Sequence, residues 1–460
     1  MGKNIAVFLD GTWNISEDYT NVFTLYTLCM GLEIDVEGGV GDSIHASSSA
    51  QDTVSDQIRY YDSGVGNGSF WSPALLGGAI GTGLKRNVAQ AYLMISREYK
   101  PGDRIYIFGF SRGSYTARSV IGLLNNFGVL QEGYIERPKK LKGLLKLLAK
   151  PIQFLRDRTE LYHAFKAVDV YRDSDTLKES EKKASFEKFR SKYCKTQDSN
   201  KDGRKRYSID IEFAGLFDTV GAMGIPSLLD PLGKGVAELD TLQKPRGFAR
   251  RNYMPNRIFP QNIKSACHAL AIDEHRNHFA PTLWEKPEYY SDTEWQERLE
   301  QRWFIGAHSN VGGGYPDNLL SNRPLYWMYE NAKARGLTLG EFNLKHDKVH
   351  LSEPVSVSYS RLMEIAYNVM GLSHYFRPID YLTKVASTTN KSKHSEEIND
   401  TSQTIDKTVI ERIEQDPTYR TRNLMELPEN ILQKLKQEVL KRDRKAIEQL
   451  QIEEVKDDNL

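Results

Sequence analysis

The chain has 460 residues, of which 39% are hydrophobic and 27% are charged, and these are the proportions of an ordinary globular protein. With 62 basic and 61 acidic residues, the formal net charge is only +1, so the overall charge gives no reason to expect a nucleic-acid partner. The three cysteines, Cys29, Cys194 and Cys267, are far apart in the sequence, which argues against a disulfide framework and fits synthesis in a reducing compartment.

The first residues carry no recognisable export signal. The apolar run at residues 5–9 is too short for a signal-peptide core and stops at Asp10. No uncharged apolar stretch approaches the roughly 20 residues that are needed to span a bilayer. We therefore expect a protein that is soluble and cytoplasmic when it is synthesised.

Short apolar runs alternate with helical stretches along most of the chain. Runs typical of buried parallel strands, each ending in small or polar residues, lie at residues 5–9, 58–61, 104–108, 209–217, 265–271 and 302–307. Helical patterns lie between them at residues 21–32, 84–99 and 114–126. The alternation predicts an α/β fold with a mostly parallel sheet and helices on both faces.

Two regions interrupt this alternation. Residues 131–206 form a charged insertion with a helical pattern, and residues 341–460 are predicted to be a charged, helical C-terminal extension. The expected organisation is therefore a catalytic domain over residues 1–340, which includes the insertion, followed by the extension.

The sequence Gly109-Phe110-Ser111-Arg112-Gly113 matches the nucleophile elbow, G-x-S-x-G. The glycines are needed because the chain turns sharply from a strand into a helix and leaves no room for side chains beside the serine. The motif follows a predicted strand and precedes a predicted helix, which is the context that it requires. Ser111 is thus the predicted nucleophile, and the backbone N–H of Arg112 is predicted to face the oxyanion.

A serine nucleophile needs a general base, and the base needs an acid that fixes its tautomer. His308 follows the last predicted strand and precedes three glycines, which indicate a tight loop able to bring the ring over the serine. We rank His268 second, because it lies inside an apolar run where a buried structural histidine is the commoner finding. Asp218 and Asp273 each follow a predicted strand, and their positions alone leave the choice of acid open.

Further motifs accompany the elbow in colinear order over residues 5–327. They comprise residues 8–14 (FLDGTWN), 61–66 (YDSGVG), 109–113 (GFSRG) with 115–118 (YTAR), 217–220 (FDTV), 268–274 (HALAIDE), and 303–304 (WF) with 308–315 (HSNVGGGY). Taken together, these stretches resemble one family of α/β-hydrolase domains, which includes the phospholipase effectors of bacterial type VI secretion systems (class 1 lipase effectors).

The resemblance implies which residues form the site. It implies a triad of Ser111, Asp218 and His308, and it implies that Gly11 or Thr12 supplies a second oxyanion N–H. One departure from the family pattern is Asn310, where an aspartate is expected after the histidine.

The expected function is hydrolysis of carboxylic ester bonds of lipids, above all phospholipid acyl esters, through an acyl-serine intermediate. Two alternatives stay open: a soluble esterase for small or carbohydrate esters, and a binding module that keeps the fold without catalysis. The resemblance further implies delivery outside the cell by a type VI secretion system, with a secretion-system component or an immunity protein as partner.

Residues 139–150 (KKLKGLLKLLAK) place lysines among leucines at near-helical spacing, a pattern typical of a helix on an anionic membrane surface. A cap helix that packs its leucines on the domain is the more usual explanation of such a pattern. No cofactor or metal ion is expected. Residues 198–203 fit the first half of a calcium loop, but Ile209 stands where the bidentate glutamate belongs, which favours a surface turn.

Overall fold

The computed structural model describes residues 2–11, 19–34, 56–64, 76–131, 149–196, 207–220, 257–276, 279–315, 319–342, 355, 377, 402–416, 419 and 437. In these ranges, eight strands form one sheet in which every neighbouring pair is parallel. The strands are β1 (Asn4–Leu9), β2 (Leu32–Glu33), β3 (Gln57–Asp62), β4 (Arg104–Phe110), β5 (Phe213–Phe217), β6 (Ala266–Ala271), β7 (Leu299–Phe304) and β8 (Gln403–Ile405).

The helices of the described residues cover both faces of this sheet. They are α1 (Asn21–Leu28), α2 (Leu76–Glu98), α3 (Arg112–Phe127), α4 (Ala149–Asp173), α5 (Glu179–Tyr193), α6 (Asp292–Arg298), α7 (His308–Gly312), α8 (Leu319–Ala334) and α9 (Lys407–Gln415). None of these helices is long and apolar enough to cross a membrane.

Alternate residues of the central strands enter two different cores. In β1, Ile5 and Val7 pack in the core that α2 and α3 cover, whereas Ala6 and Phe8 pack in the core that α1 and α8 cover. Successive strand side chains point to opposite faces, so a strand buried on both faces reads as a continuous apolar run. The predicted α/β class, with a parallel sheet between two helical layers, is confirmed.

The bounds of β5 and β7 differ most from those predicted. The apolar run begins at Ile209, but β5 begins only at Phe213. Ile209 is apolar because it is buried in the core ahead of the regular strand. β7 begins at Leu299, ahead of the predicted start at Arg302, and ends at Phe304. The apolar residue that follows it, Ile305, is buried outside the ladder. Burial and strand pairing are therefore separate properties, and the apolar pattern reports only the first.

The order of the strands, β2-β3-β1-β4-β5-β6-β7-β8, makes β1 a branch point. The chain places β2 and β3 on one side of β1 and the five later strands on the other. In open parallel sheets, ligands bind beyond the carboxyl ends of the strands where the order reverses in this way. Asp10 follows β1 at this point, and Ser111 follows β4.

The described part of the insertion contains α4 and α5, as its helical pattern predicts. Beyond residue 340, the described residues include not only the helix α9 but also the strand β8, which pairs with β7. A strand of three residues is too short to produce a recognisable pattern. The boundary near residue 340 stays a prediction.

Candidate active site

The chain turns sharply at Ser111, between β4 and α3. Ser111 has φ +57° and ψ −121°, a conformation that residues other than glycine rarely adopt. Its backbone N–H donates to the carbonyl of Phe217 at 3.0 Å, which ties the turn to β5. A Cβ atom at Gly113 would lie 2.0 Å from the carbonyl oxygen of Leu9, so only glycine fits there. The strained elbow expected from the motif is therefore present.

Asp218 occupies the corresponding position after β5. The residue is fully buried and has φ +38°. Its Oδ1 accepts the backbone N–H of Ala271 at 3.0 Å, and its Oδ2 lies 2.5 Å from Nδ1 of His308. The structure thus joins two of the three residues proposed from the sequence; Asp218 and His308 are called the acid–histidine pair below.

His308 is the first residue of α7, directly after the turn that follows β7. Its ring lies between Phe110 and Phe279, with ring centroids 4.7 and 4.8 Å away. Because Phe110 precedes Ser111 in the chain, the imidazole stands beside the elbow. Gly312 makes this approach feasible, since a Cβ atom there would lie 2.0 Å from the ring of Phe110.

The electrostatics of the pair favour a neutral histidine beside an ionised acid. Burial by itself raises the pKa of Asp218, but the positive charge of Arg377 and the contacts with His308 hold that pKa well below its ordinary value. Burial lowers the pKa of His308, and Asp218 and Glu274 offset this only in part. With Asp218 ionised, Nδ1 of His308 carries the proton, which leaves Nε2 as the acceptor.

Arg377 was not singled out by the sequence. It is fully buried, and both of its terminal nitrogens donate to Asp218, at 2.5 and 2.9 Å. It belongs to no motif and lies within the predicted C-terminal extension, so no local signal could have identified it.

The alternative histidine has a different environment. His268 is fully buried on β6, where its Nε2 accepts the backbone N–H of Thr219 at 3.2 Å and its Nδ1 lies 3.3 Å from Oε1 of Gln301. Burial and the nearby charge of Arg118 lower the pKa of His268 to about 3. Both ring nitrogens have partners within the core, as expected for a structural histidine.

The alternative acid also has other partners. Oδ2 of Asp273 accepts the backbone N–H of Gly306 at 2.7 Å and the hydroxyl of Tyr419 at 2.8 Å. These bonds fix the turn that leads into α7 rather than the imidazole of His308.

The proposed oxyanion donors are described only in part. Arg112 is the first residue of α3, so its N–H is one of the N–H groups that no carbonyl of the helix accepts. The N–H of Gly11 donates to Oδ1 of Asp10 at 2.7 Å, so it would have to leave that carboxylate to reach an oxyanion. Thr12 lies outside the described residues.

The remaining expectations concern the basic segment, the half calcium loop, Asn310 and metal binding. Residues 139–148 and 198–203 lie outside the described ranges. Asn310 is described, and its Oδ1 accepts the N–H of Ala307 at 3.1 Å, which closes the first turn of α7. Among the residues that the structure places, no group of three or more His, Cys, Asp or Glu side chains could hold a metal ion.

The chain is similar to known proteins along much of its length. The uncharacterized protein YEL023C of Saccharomyces cerevisiae is 28% identical over 239 residues, which are 49% of this chain and 27% of the yeast protein. A crystal structure of an uncharacterized protein from Pseudomonas aeruginosa is 18% identical, with a TM-score of 0.36, and the match covers 74% of this chain and 46% of that one.

The structure of the Tle1 effector bound to the VgrG spike of the type 6 secretion system is 17% identical, with a TM-score of 0.30, and covers 68% of this chain and 51% of that one. The chain therefore spans about a quarter of the yeast relative, at 27%, and about half of each solved chain, at 46% and 51%. Residues 3–331 match the family model of the catalytic domain of Tle1-like phospholipase effectors of the type VI secretion system. The chain belongs to this family.

Proposed function

We propose that this chain is a serine hydrolase that cleaves the acyl esters of phospholipids, with Ser111 as nucleophile, His308 as general base and Asp218 as the acid that orients it. The observation that carries the proposal is the contact of 2.5 Å between Asp218 and Nδ1 of His308 beside the elbow at Ser111. Membership of a phospholipase family supports a lipid ester as the substrate.

The proposed reaction has two halves, acylation of Ser111 and hydrolysis of the acyl-serine ester. Nε2 of His308 takes the proton of the Ser111 hydroxyl as Oγ attacks the ester carbonyl, and the backbone N–H of Arg112 receives the developing oxyanion. The tetrahedral intermediate then expels the glycerol alkoxide, which takes the proton from His308. Water, activated by the same imidazole, attacks the acyl-Ser111 ester and releases the fatty acid.

The same family membership supports a role outside the producing cell. We propose that a type VI secretion system delivers the protein, with a component of that system as a partner. An effector that degrades phospholipids would endanger the cell that makes it, so we also propose an immunity protein as a second partner.

Labelling of the serine tests the proposal directly. A fluorophosphonate probe should modify Ser111 in the wild-type chain, as located by mass spectrometry of peptides, and Ser111→Ala should lower phospholipid hydrolysis by several orders of magnitude. Ser119→Ala is the matched control, because Ser119 is a buried serine of α3 whose hydroxyl donates to the carbonyl of Tyr115 at 2.9 Å.

The other two functions predict different results. A folded wild-type chain that takes up no probe would be a binding module. A chain that is labelled and hydrolyses short soluble esters but no phospholipid in vesicles would be an esterase. Turnover above about a tenth of the wild-type value in Ser111→Ala would exclude this serine as the nucleophile.

A further inference from the structure

Arg377 has a hydrogen-bonding environment built around one carboxylate. Its Nη1 donates to Oδ1 of Asp218 at 2.5 Å and to the carbonyl of Ala271 at 2.8 Å. Its Nη2 donates to Oδ2 of Asp218 at 2.9 Å and to the carbonyl of Phe279 at 2.5 Å. All four N–H groups on these two nitrogens are therefore used, and two of them form the bidentate fork that only arginine provides.

The carboxylate of Asp218 is correspondingly saturated. Oδ1 accepts from Ala271 and Arg377, while Oδ2 accepts from His308 and Arg377. Any rotation of the carboxylate breaks bonds on both oxygens, so the fork fixes the direction in which Oδ2 meets the imidazole. Phe279, whose carbonyl accepts from Arg377, also packs its ring against His308 at 4.8 Å. Arg377 is thus linked to both members of the acid–histidine pair.

We propose that Arg377 is a positioning residue of the active site: it holds Asp218 in the orientation that receives His308, and its charge weakens the binding of a proton by the acid–histidine pair. This inference rests on the proposed function for its catalytic meaning. Arg377 lies outside residues 3–331, the part that matches the family's catalytic domain, so in this chain the site depends on a residue from beyond that domain.

The direction in which Arg377 changes proton binding follows from Oδ2 of Asp218, which contacts both His308 and Arg377. A proton added to either member of the pair reduces the negative charge that faces Arg377, so the guanidinium opposes protonation whichever group receives it. Without Arg377, the pair should bind its proton more tightly. Activity requires an unprotonated imidazole, so the acid limb of the pH profile should then move to higher pH.

Among the residues that the structure describes, three further charged or titratable groups face the pair. Glu274 accepts the backbone N–H of His308 at 3.2 Å and raises the pKa of its imidazole, whereas Arg276, which is bonded to Glu274, lowers it. His268 interacts electrostatically with both Asp218 and Arg377 from β6. All three groups are retained when Arg377 is replaced, so the difference between the variants reports the effect of the guanidinium.

The test compares Arg377→Met and Arg377→Lys with the wild type. The rate of fluorophosphonate labelling of Ser111 is measured from acid to neutral pH, with thermal unfolding as the check of folding. We expect the midpoint of the acid limb to move to higher pH by about 1 pH unit or more in the methionine variant, and by less in the lysine variant. The maximal rate should fall in both, because neither side chain reproduces the fork.

Arg323→Met is the matched control. Like Arg377, Arg323 contacts a fully buried carboxylate, with its Nε 3.2 Å from Asp406. Asp406 lies outside the site and also forms an ion pair with Arg302. This variant should keep the wild-type acid limb. A limb that stays in place in a folded Arg377→Met chain would overturn the proposal. If the methionine variant does not fold, a wild-type maximal rate in Arg377→Lys would overturn it equally.

A measurement that needs no catalysis separates this inference from the proposed function. Titration of His308 by NMR in the Ser111→Ala background, with the signal assigned through His308→Gln, should show a higher pKa when Arg377 is replaced by methionine. A wild-type chain without labelling at Ser111 would refute the proposed function. An unshifted titration would refute only the role of Arg377.

Discussion

Two buried aspartates follow neighbouring strands of this protein, yet their environments differ. Asp218 contacts the imidazole of His308 and the guanidinium of Arg377, which lower its pKa against the effect of burial. Asp273 accepts from Gly306 and Tyr419, and burial raises its pKa. A residue in the role of the orienting acid must be ionised when the histidine becomes charged, and only Asp218 is poised for that.

We therefore predict unequal effects of two matched substitutions. Asp218→Asn should lower phospholipid hydrolysis by about 10,000-fold, because the amide favours the wrong tautomer of His308. Asp273→Asn keeps an oxygen that can accept from Gly306 and Tyr419, so its activity should stay within about tenfold of wild type. Steady-state rates of folded variants decide this, and equal losses would leave the acid unassigned.

His268 should affect acid stability rather than catalysis. Its pKa in the folded chain is about 3, below the roughly 6.5 of a free imidazole. Between these values the unfolded chain binds a proton that the folded chain does not, so the free energy of unfolding falls as the pH falls. His268→Gln should make this decline shallower by up to about 1.4 kcal/mol per pH unit, measured by urea unfolding at several pH values.

Labelling at neutral pH provides the control for the two histidines. His268→Gln should still react with the fluorophosphonate probe if it folds, whereas His308→Ala should not react. The opposite pattern would exchange the two assignments.

At the scale of elements, the elbow depends on how closely α3 approaches β1. Gly113 lies in the first turn of α3, and a Cβ atom on it would come within 2.0 Å of the carbonyl oxygen of Leu9 and 2.5 Å of that of Asp10. Both contacts are with backbone, which cannot move aside as a flexible side chain can. The helix would have to shift away from the strand, and the serine would shift with it.

We predict that Gly113→Ala lowers stability by at least about 1–3 kcal/mol and slows labelling of Ser111. Thermal unfolding and labelling rates measure the two effects. Gly340→Ala is the control, because among the described residues its Cβ atom would meet only the carbonyl oxygen of Leu28, at an ordinary 3.5 Å. If both variants resembled the wild type, the packing described for the elbow would be wrong.

At the scale of the whole molecule, residues beyond the predicted catalytic domain are bonded into it. β8 extends the sheet beside β7, and the buried Asp406 that follows it binds Arg302 and Arg323. Tyr419 reaches Asp273, and Arg377 reaches Asp218. The C-terminal part thus contributes to the core and to the site at once.

A separate prediction concerns contact with the membrane through the basic segment at residues 139–150. If this segment lies on an anionic membrane, each lysine contributes about 1 kcal/mol, and the attraction weakens with salt. Changing Lys139, Lys140, Lys142 and Lys146 to Gln should reduce hydrolysis of anionic vesicles and leave hydrolysis of a short soluble ester unchanged. Both rates are measured at low and at high salt.

A second set of four lysines provides the control for net charge. Lys178, Lys183, Lys188 and Lys192, in and beside α5, are exposed, and changing all four to Gln removes the same charge. This control should keep its vesicle activity. Equal losses on vesicles and on the soluble ester in the first variant would mean that the segment packs on the domain, and unchanged vesicle activity would mean that it is solvated surface.

The sequence by itself determined the fold class and the elbow, because both depend on local properties. An apolar run marks a strand buried on two faces, and the glycines around Ser111 report a turn that no other residue can make. Its motifs reduced the candidates for base and acid to two each, and the family resemblance implied His308 and Asp218 among them. The sequence could not place the ends of β5 and β7, since burial continues past the ladder.

Only the tertiary structure decided which of these candidates meet. The contact of His308 with Asp218 joins residues 90 positions apart, and the contact of Arg377 with Asp218 joins residues 159 positions apart. No local pattern encodes such pairings, because they arise when strand order brings the carboxyl ends of β5 and β7 to one edge and a distant segment returns to it. His268 and Asp273 have the same residue types and similar positions in the sequence, and the tertiary structure gives their side chains other partners.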